Sequence, residues 1–268
     1  MKRIQLFEFE DFQWFPAAIR NSMTNLIVVF HKMMGSSQTL ALLLTALRNK
    51  INFDQIVDMG SGSGGAMPEA VKLMNEKENG TPVNLLLTDL HPNSKFIESI
   101  NRQNNPQIKY QAQSLDATQL ANTPEGLKTM IASFHHMPPV QAKSILKSAQ
   151  DNKQVILIYE LAENNIPTIL WWLLLPLSLV ILFIMCLFMT PFARPMTWQQ
   201  IVFTYLIPII PICYAWDGQA SLVRTYTFSD LEKILAEIKM EGYHWDMKIA
   251  KNAKGKKAGY YLFGYSNS

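Results

Sequence analysis

The run Val57-Asp58-Met59-Gly60-Ser61-Gly62-Ser63-Gly64-Gly65 constrains this chain more than any other nine residues. It follows the apolar stretch 55–57 and precedes a helical pattern that begins near Met67. A strand that turns sharply into a helix needs residues that tolerate positive φ and let the backbone approach a ligand, and alternating glycines supply both. The helix that follows aims its free N–H groups at the same place. The run is expected to be a cofactor-binding turn.

Two glycine spacings overlap in it. Gly60, Gly62 and Gly65 fit the dinucleotide pattern G-x-G-x-x-G, whereas Gly60, Gly62 and Gly64 fit the tighter D-x-G-x-G-x-G. Asp58 separates the readings, because a carboxylate two residues before the first glycine suits a cationic ligand such as an amino-acid ammonium group and repels a pyrophosphate. The stretch resembles motif I of the class I S-adenosylmethionine-dependent methyltransferases. That resemblance implies S-adenosylmethionine as cofactor, with Asp58, Gly60, Gly62 and Gly64 around it.

Further matches follow in order. Residues 82–89 read as a buried strand ending in Asp89, an arrangement that hydrogen-bonds ribose hydroxyls at the carboxyl edge of a parallel sheet. A strand at 108–110 leads to Ser114-Leu115-Asp116-Ala117, which looks like the family's adenine-contacting acid and its small neighbour. A strand at 130–134 ends in His135-His136-Met137-Pro138-Pro139, where the family places its substrate-facing motif IV, and a helix at 140–149 precedes a strand at 155–160. Any single acid after an apolar run can be only a cap or turn former. Four matches in order are harder to explain that way.

The alternation of strands and helices from 55 to 160 predicts an α/β fold, a Rossmann-like doubly wound sheet, mostly parallel, with its ligand crevice at the carboxyl ends of the strands. A helix at 230–239, capped by Ser229 with Glu232 at the capping-box position, then leads to strands at 243–250 and 259–265. A terminal antiparallel hairpin is how the methyltransferase sheet usually closes, and it is unusual in a plain nicotinamide-binding domain.

The 268 residues, 49% of them apolar, suffice for one α/β domain with additions. A net charge of +3 without a continuous basic face gives no expectation of a nucleic-acid partner, and the five lysines in 248–257 read as a solvated hairpin tip. Cys186 and Cys213 lie in apolar sequence with no His or Cys at ligand spacing, so they are expected to be packing residues, with neither a metal nor a disulfide. The first ten residues mix charges of both signs and do not form a secretory signal.

A second feature is the uncharged stretch 164–193, within which 166–189 exceeds the length needed to cross a bilayer. After Arg194 the chain is uncharged again to 216, interrupted by Pro208 and Pro211. Sequence on both sides belongs to one domain, so the chain must return to the same compartment. A two-crossing hairpin with its turn at 190–200, an embedded monotopic hairpin, or a buried apolar subdomain or oligomer interface each satisfies that condition. The expected organisation is an N-terminal helical cap at 1–50, a methyltransferase domain at 51–163 and 217–268, and an inserted apolar helical hairpin at 164–216. The catalytic domain is expected on the cytosolic face of a bacterial membrane, with the oligomeric state open.

The polar stretch 214–227 is similar to a W-D-G-x-x-S-x-x-R-x-Y-T segment found, with an early W-F-P like Trp14-Phe15-Pro16, in a subgroup of bacterial methyltransferases. Asp217, Arg224 and Tyr226 can orient a polar substrate group; alternatively Asp217 and Arg224 pair to fix the chain. Apolar periodicity in the first fifty residues predicts helices that cap the sheet, with Trp14, Phe15 and His31 lining the pocket. The methyl group of S-adenosylmethionine is activated by its sulfonium charge, so the protein mainly aligns the acceptor and excludes water. A hydroxyl acceptor also needs a base, a role suited to His135 or His136, with Tyr159 and Glu160 ending the adjacent strand. The expected function is methyl transfer to a hydrophobic small-molecule or lipid-like acceptor at a membrane surface. A noncatalytic membrane scaffold of the same fold, or a nicotinamide-dependent oxidoreductase, are the alternatives.

Overall fold

Short apolar runs bounded by turn residues form seven strands in a computed structural model that describes residues 2–77 and 80–266. The strands are β1 (Gln55–Met59), β2 (Asn84–Thr88), β3 (Ile108–Tyr110), β4 (Leu127–Ile131), β5 (Ile156–Glu160), β6 (Tyr243–Lys251) and β7 (Lys257–Ser266). The helices are α1 (Ala17–Met34), α2 (Ser36–Arg48), α3 (Met67–Lys77), α4 (Ser94–Asn101), α5 (Pro139–Asp151), α6 (Thr168–Met189), α7 (Trp198–Ile201), α8 (Ile209–Arg224) and α9 (Phe228–Ala236). They fall into two compact units, one of residues 35–162 and 228–268, the other of residues 1–34 and 163–227. Thus α2 belongs with the sheet, and α1 with the apolar stretch.

The sheet unit has strand order β3-β2-β1-β4-β5-β7-β6. The first five strands are parallel, and β7 pairs antiparallel with both β5 and β6. This is the expected α/β sheet with its terminal hairpin. All five residues of β5 are buried, as a parallel strand covered on both faces requires. Leu157 and Tyr159 join one apolar cluster with α2 and α3, while the alternate residues Ile156 and Ile158 are equally buried. The order reverses between β1 and β4, and at such a switch point the loops leaving the two strands diverge and open a crevice.

Two boundaries differ from expectation. The strand placed at 130–134 is β4 at Leu127–Ile131, because Ala132 adopts φ 51° and ends it, so Phe134–His136 form a 3-10 turn. Helix α9 starts at Phe228 and stops at Ala236, so Ser229 lies inside its first turn instead of capping it.

The apolar unit is built on α6 and α8. A Cβ added at Gly218 would lie 3.1 Å from Leu182 Cδ1, so α8 approaches α6 closely at that point. Cys186, Met189, Ile210 and Cys213 share an apolar cluster with Met23 and Leu26 of α1. Pro208 interrupts the stretch as anticipated, since the chain bends by 82° between the segments Trp198–Leu206 and Ile209–Arg224, whereas Pro211 is accommodated in the first turn of α8. The polar stretch 214–227 forms the C-terminal part of α8 and the residues that follow it.

Candidate functional site

At the carboxyl end of β1, Gly60, Gly62, Gly64 and Gly65 all have positive φ, at 66°, 53°, 93° and 51°. Their surroundings differ. A Cβ at Gly64 would meet Ile100 Cδ1 at 3.1 Å and Pro68 Cγ at 3.2 Å, so this glycine also serves close packing against α3 and α4. At Gly62 and Gly65 a Cβ would meet nothing within 4 Å. There the backbone lines open space, and glycine is required for conformation alone.

Asp58, the acid of the motif, is 2% exposed and is held from two sides. Ser61 Oγ donates to its Oδ2 and Thr129 Oγ1 to its Oδ1, both at 2.6 Å. The second bond exists because β1 and β4 pair Asp58 with Thr129 in register. Burial pushes the Asp58 carboxyl up to about 7; the two hydroxyl bonds oppose the rise and the nearby Asp89 adds to it. Ser61 Oγ also accepts the Thr88 N–H at 3.2 Å, and Ser61 N–H donates to Thr88 O at 3.0 Å. Asp58 therefore acts on the loop through Ser61, tying its first residues to β2.

Asp89 and Tyr110 grip the next peptide. Gly62 N–H donates to Asp89 Oδ2 at 3.0 Å, and Tyr110 Oη donates to Gly62 O at 2.8 Å. Asp89 Oδ1 accepts the His91 N–H at 2.9 Å. Burial, with Asp89 and Asp58 nearby, holds the Tyr110 phenol well above its ordinary range. Asp116 forms a local turn, with Oδ1 accepting from Thr118 N at 2.8 Å and Thr118 Oγ1 at 2.7 Å, and Ala117 follows it half-buried. Its loop is brought to Asp89 by the Leu115 N–H, which donates to Asp89 O at 2.9 Å. The loops after β1, β2 and β3 thus converge as the sequence implied.

The motif IV region ends β4. Glu160, 2% exposed at the end of β5, accepts the backbone N–H of His135 on Oε1 and meets His135 Nδ1 on Oε2, both at 2.9 Å. An ionised carboxylate only accepts, so Nδ1 carries the proton and Nε2 is the basic atom of the ring. The His136 ring lies 4.4 Å from that of His135 between centroids. Tyr159 points to the other face of the sheet from Glu160: it packs in the apolar core, and its hydroxyl donates to Ala258 O at 2.6 Å.

The remaining candidates belong to the apolar unit. Trp14 is 68% exposed and stacks on Phe12, with centroids 5.3 Å apart. Asp217 accepts from Phe9 N at 2.8 Å and Glu10 N at 3.2 Å, while Arg224 pairs with Glu8 at 3.0 Å and Asp11 at 2.6 Å. Both thereby hold the segment before α1 on α8. Tyr226 is buried beneath the Arg3 guanidinium, 4.8 Å from its ring centroid. In the same unit Phe7, Phe9, Leu179, Phe183, Ile212 and Trp216 line an apolar recess of about 410 Å³. The one polar atom of the Trp216 ring is engaged, since Nε1 donates to Phe7 O at 3.0 Å.

Sequence reasoning passed over Ser61, Thr129 and Tyr110. Ser61 stood in the motif, and a hydroxyl three residues after a buried acid was a usable signal. Thr129 and Tyr110 reach the loop only through strand register.

No protein-family model and no curated protein matches the sequence. Solved structures do. The plantazolicin methyltransferase BamL, in complex with a triazolic desmethylPZN analog and SAH, superposes with TM-score 0.53 at 12% identity over 93% of this chain and 98% of that one. The plantazolicin methyltransferase BpumL, with a monoazolic desmethylPZN analog and SAH, gives 0.54 at 12% identity over 93% and 89%. Human N-acetylserotonin methyltransferase, in complex with SAM, gives 0.51 at 14% identity over 94% of this chain and 56% of that one. At such identities the likeness establishes the fold, which is the methyltransferase fold.

Proposed function

We propose that this chain is a class I methyltransferase that uses S-adenosylmethionine to methylate a hydrophobic small-molecule or lipid-like acceptor at a membrane surface. The observation that carries the reading is the loop after β1, where four positive-φ glycines line open space at Gly62 and Gly65 and are fixed by Asp58, Asp89 and Tyr110. Three solved structures with this fold hold SAH or SAM. The residues present fit that group: the glycine loop for its amino-acid end, Asp89 for its ribose, and Asp116 with Ala117 for its adenine. The bound cofactor would supply a methyl group activated by a sulfonium.

The chain's own residues then orient, exclude water and move a proton. Glu160 fixes the His135 ring in the tautomer whose Nε2 is basic, which suits removal of a hydroxyl proton from the acceptor near the transition state. The apolar recess beside α6 and the length of that helix support a hydrophobic acceptor and a membrane location. The W-D-G-x-x-S stretch, here on α8, supports kinship with a bacterial subgroup.

Calorimetric titration of detergent-purified protein with S-adenosylmethionine tests the proposal, with Gly62→Val as the control. Saturable binding by the parent, lost in the variant, is expected. A folded parent that binds NADH and not S-adenosylmethionine would support the oxidoreductase, and one that binds neither would support the scaffold.

A further inference from the structure

We propose that the apolar unit docks on a single leaflet of an anionic phospholipid bilayer through the outer face of α6, and does not cross it. The inference rests on the membrane-surface reading above and adds the mode of docking. Length alone permits crossing: the uninterrupted helical stretch Thr168–Phe192 has 25 residues. At 1.5 Å per residue that is about 37 Å, against about 30 Å of hydrocarbon core.

Side-chain placement argues otherwise. Ile169, Leu173, Leu177, Ile181, Ile184 and Phe188 recur every three or four residues and are exposed, the first two at 79% and 73%. The opposite face carries Trp171, Leu175, Cys186 and Met189, all buried. What stands behind that buried face decides how lipid can reach the helix. Gly218 sits against Leu182, Trp171 Nε1 donates to Gln219 Oε1 at 3.1 Å, and Val223 clusters with Trp171 and Leu175. The polar half of α8 therefore runs beside the first two-thirds of α6.

That polar half holds a short 3-10 turn, Phe9–Asp11, and the charged residues around it. Asp217 binds the Phe9 and Glu10 N–H groups, and Arg224 binds Glu8 and Asp11. The Asp11 side chain is 39% exposed, and Gln13 is exposed beside it in sequence. A bilayer surrounding α6 would put the exposed side of the Asp11 carboxylate and the Gln13 amide at hydrocarbon depth, where polar groups facing lipid are costly. Docking of the outer face alone leaves both in water. The chemistry at the other end of α6 agrees. Arg194 is the one charged residue in 164–216; it is exposed, as are Trp198 and Tyr205 after it. A cation with interfacial aromatics suits anionic headgroups, and a helix lying in one leaflet keeps this end on the same aqueous side as the other.

The test uses the full chain and sealed vesicles of phosphatidylcholine with one-fifth phosphatidylglycerol. Flotation reads association, and labelling with a membrane-impermeant maleimide reads topology. The parent protein, whose Cys186 and Cys213 are buried, sets the background. Gln13→Cys and Met196→Cys should both label from outside to within about twofold of their level in detergent, with Phe192→Cys as a second reporter at the same end. Label at residue 13 with protection of 196 and 192 until detergent is added would establish crossing and overturn the proposal. Leu177→Lys should weaken flotation at least about tenfold, the consequence of withdrawing one leucine from lipid. Val140→Lys, an exposed apolar site of the sheet unit, should leave flotation unchanged. Flotation unaffected by Leu177→Lys would overturn α6 as the docking face. A parent that fails to float would overturn the membrane reading itself, while its S-adenosylmethionine titration would still judge the catalytic one.

Discussion

Replacing Asp58 by Asn should stabilise the sheet unit at pH 8 and not at pH 4. The Asp58 carboxyl is enclosed at 2% exposure and its pKa is raised from the ordinary 3.8 to about 7, first by burial. Because the folded value exceeds the unfolded one, folding favours the protonated acid. Its contribution is fully present below pH 3.8 and is lost as pH rises to about 7. A rise from 3.8 to about 7 is worth about 4 kcal/mol. Asn is neutral throughout and can accept from one of Ser61 and Thr129 while donating its amide to the other hydroxyl. At pH 4 the variant should match the parent to within about 1 kcal/mol, one hydrogen bond's worth. Between pH 4 and pH 8 the difference should swing by about 4 kcal/mol in the variant's favour. Hydrogen exchange of the β1 and β4 amides, corrected for intrinsic rates at each pH, reads that difference within the sheet unit. Parallel pH profiles for the two proteins would refute the reasoning, since they would mean that Asp58 does not change its ionisation between these pH values.

The same site makes other predictions. A cationic cofactor favours ionised Asp58, so the affinity for S-adenosylmethionine should rise as pH increases through about 7, with protons released on binding; calorimetry in buffers of different ionisation enthalpy measures both. Gly62→Ala should cost about 1–2 kcal/mol from its positive φ alone, and Gly64→Ala more, because its Cβ also meets Ile100 and Pro68; thermal unfolding ranks the two. Glu160→Gln should lower kcat about 10²-fold or more with little change in KM and alter the pH profile of kcat, because its single amide oxygen cannot accept from both His135 N–H groups and its NH2 set against Nδ1 favours the other tautomer. Arg224→Met should destabilise the apolar unit by about 3–5 kcal/mol, read by urea unfolding, because Glu8 loses a cation within the same buried cluster.

The sequence by itself determined the α/β order, the glycine loop and the three acids that follow it, since each depends on local chemistry: short continuous apolar runs, glycine's access to positive φ, and acids at strand ends. It also determined that α6 had to bury or immerse a long apolar surface. The tertiary structure decided which partners those residues have. Asp58 meets Thr129, 71 residues away, only because β1 and β4 pair in one register. Tyr159 and Glu160 are neighbours in sequence, but the strand pleat sends one into the core and the other to His135. Asp217 and Arg224 read as a pair seven residues apart, yet the fold brings the segment before α1 onto α8 and gives each of them partners there. Periodicity and composition carry no information on such distant pairings, which arise when the chain closes its core.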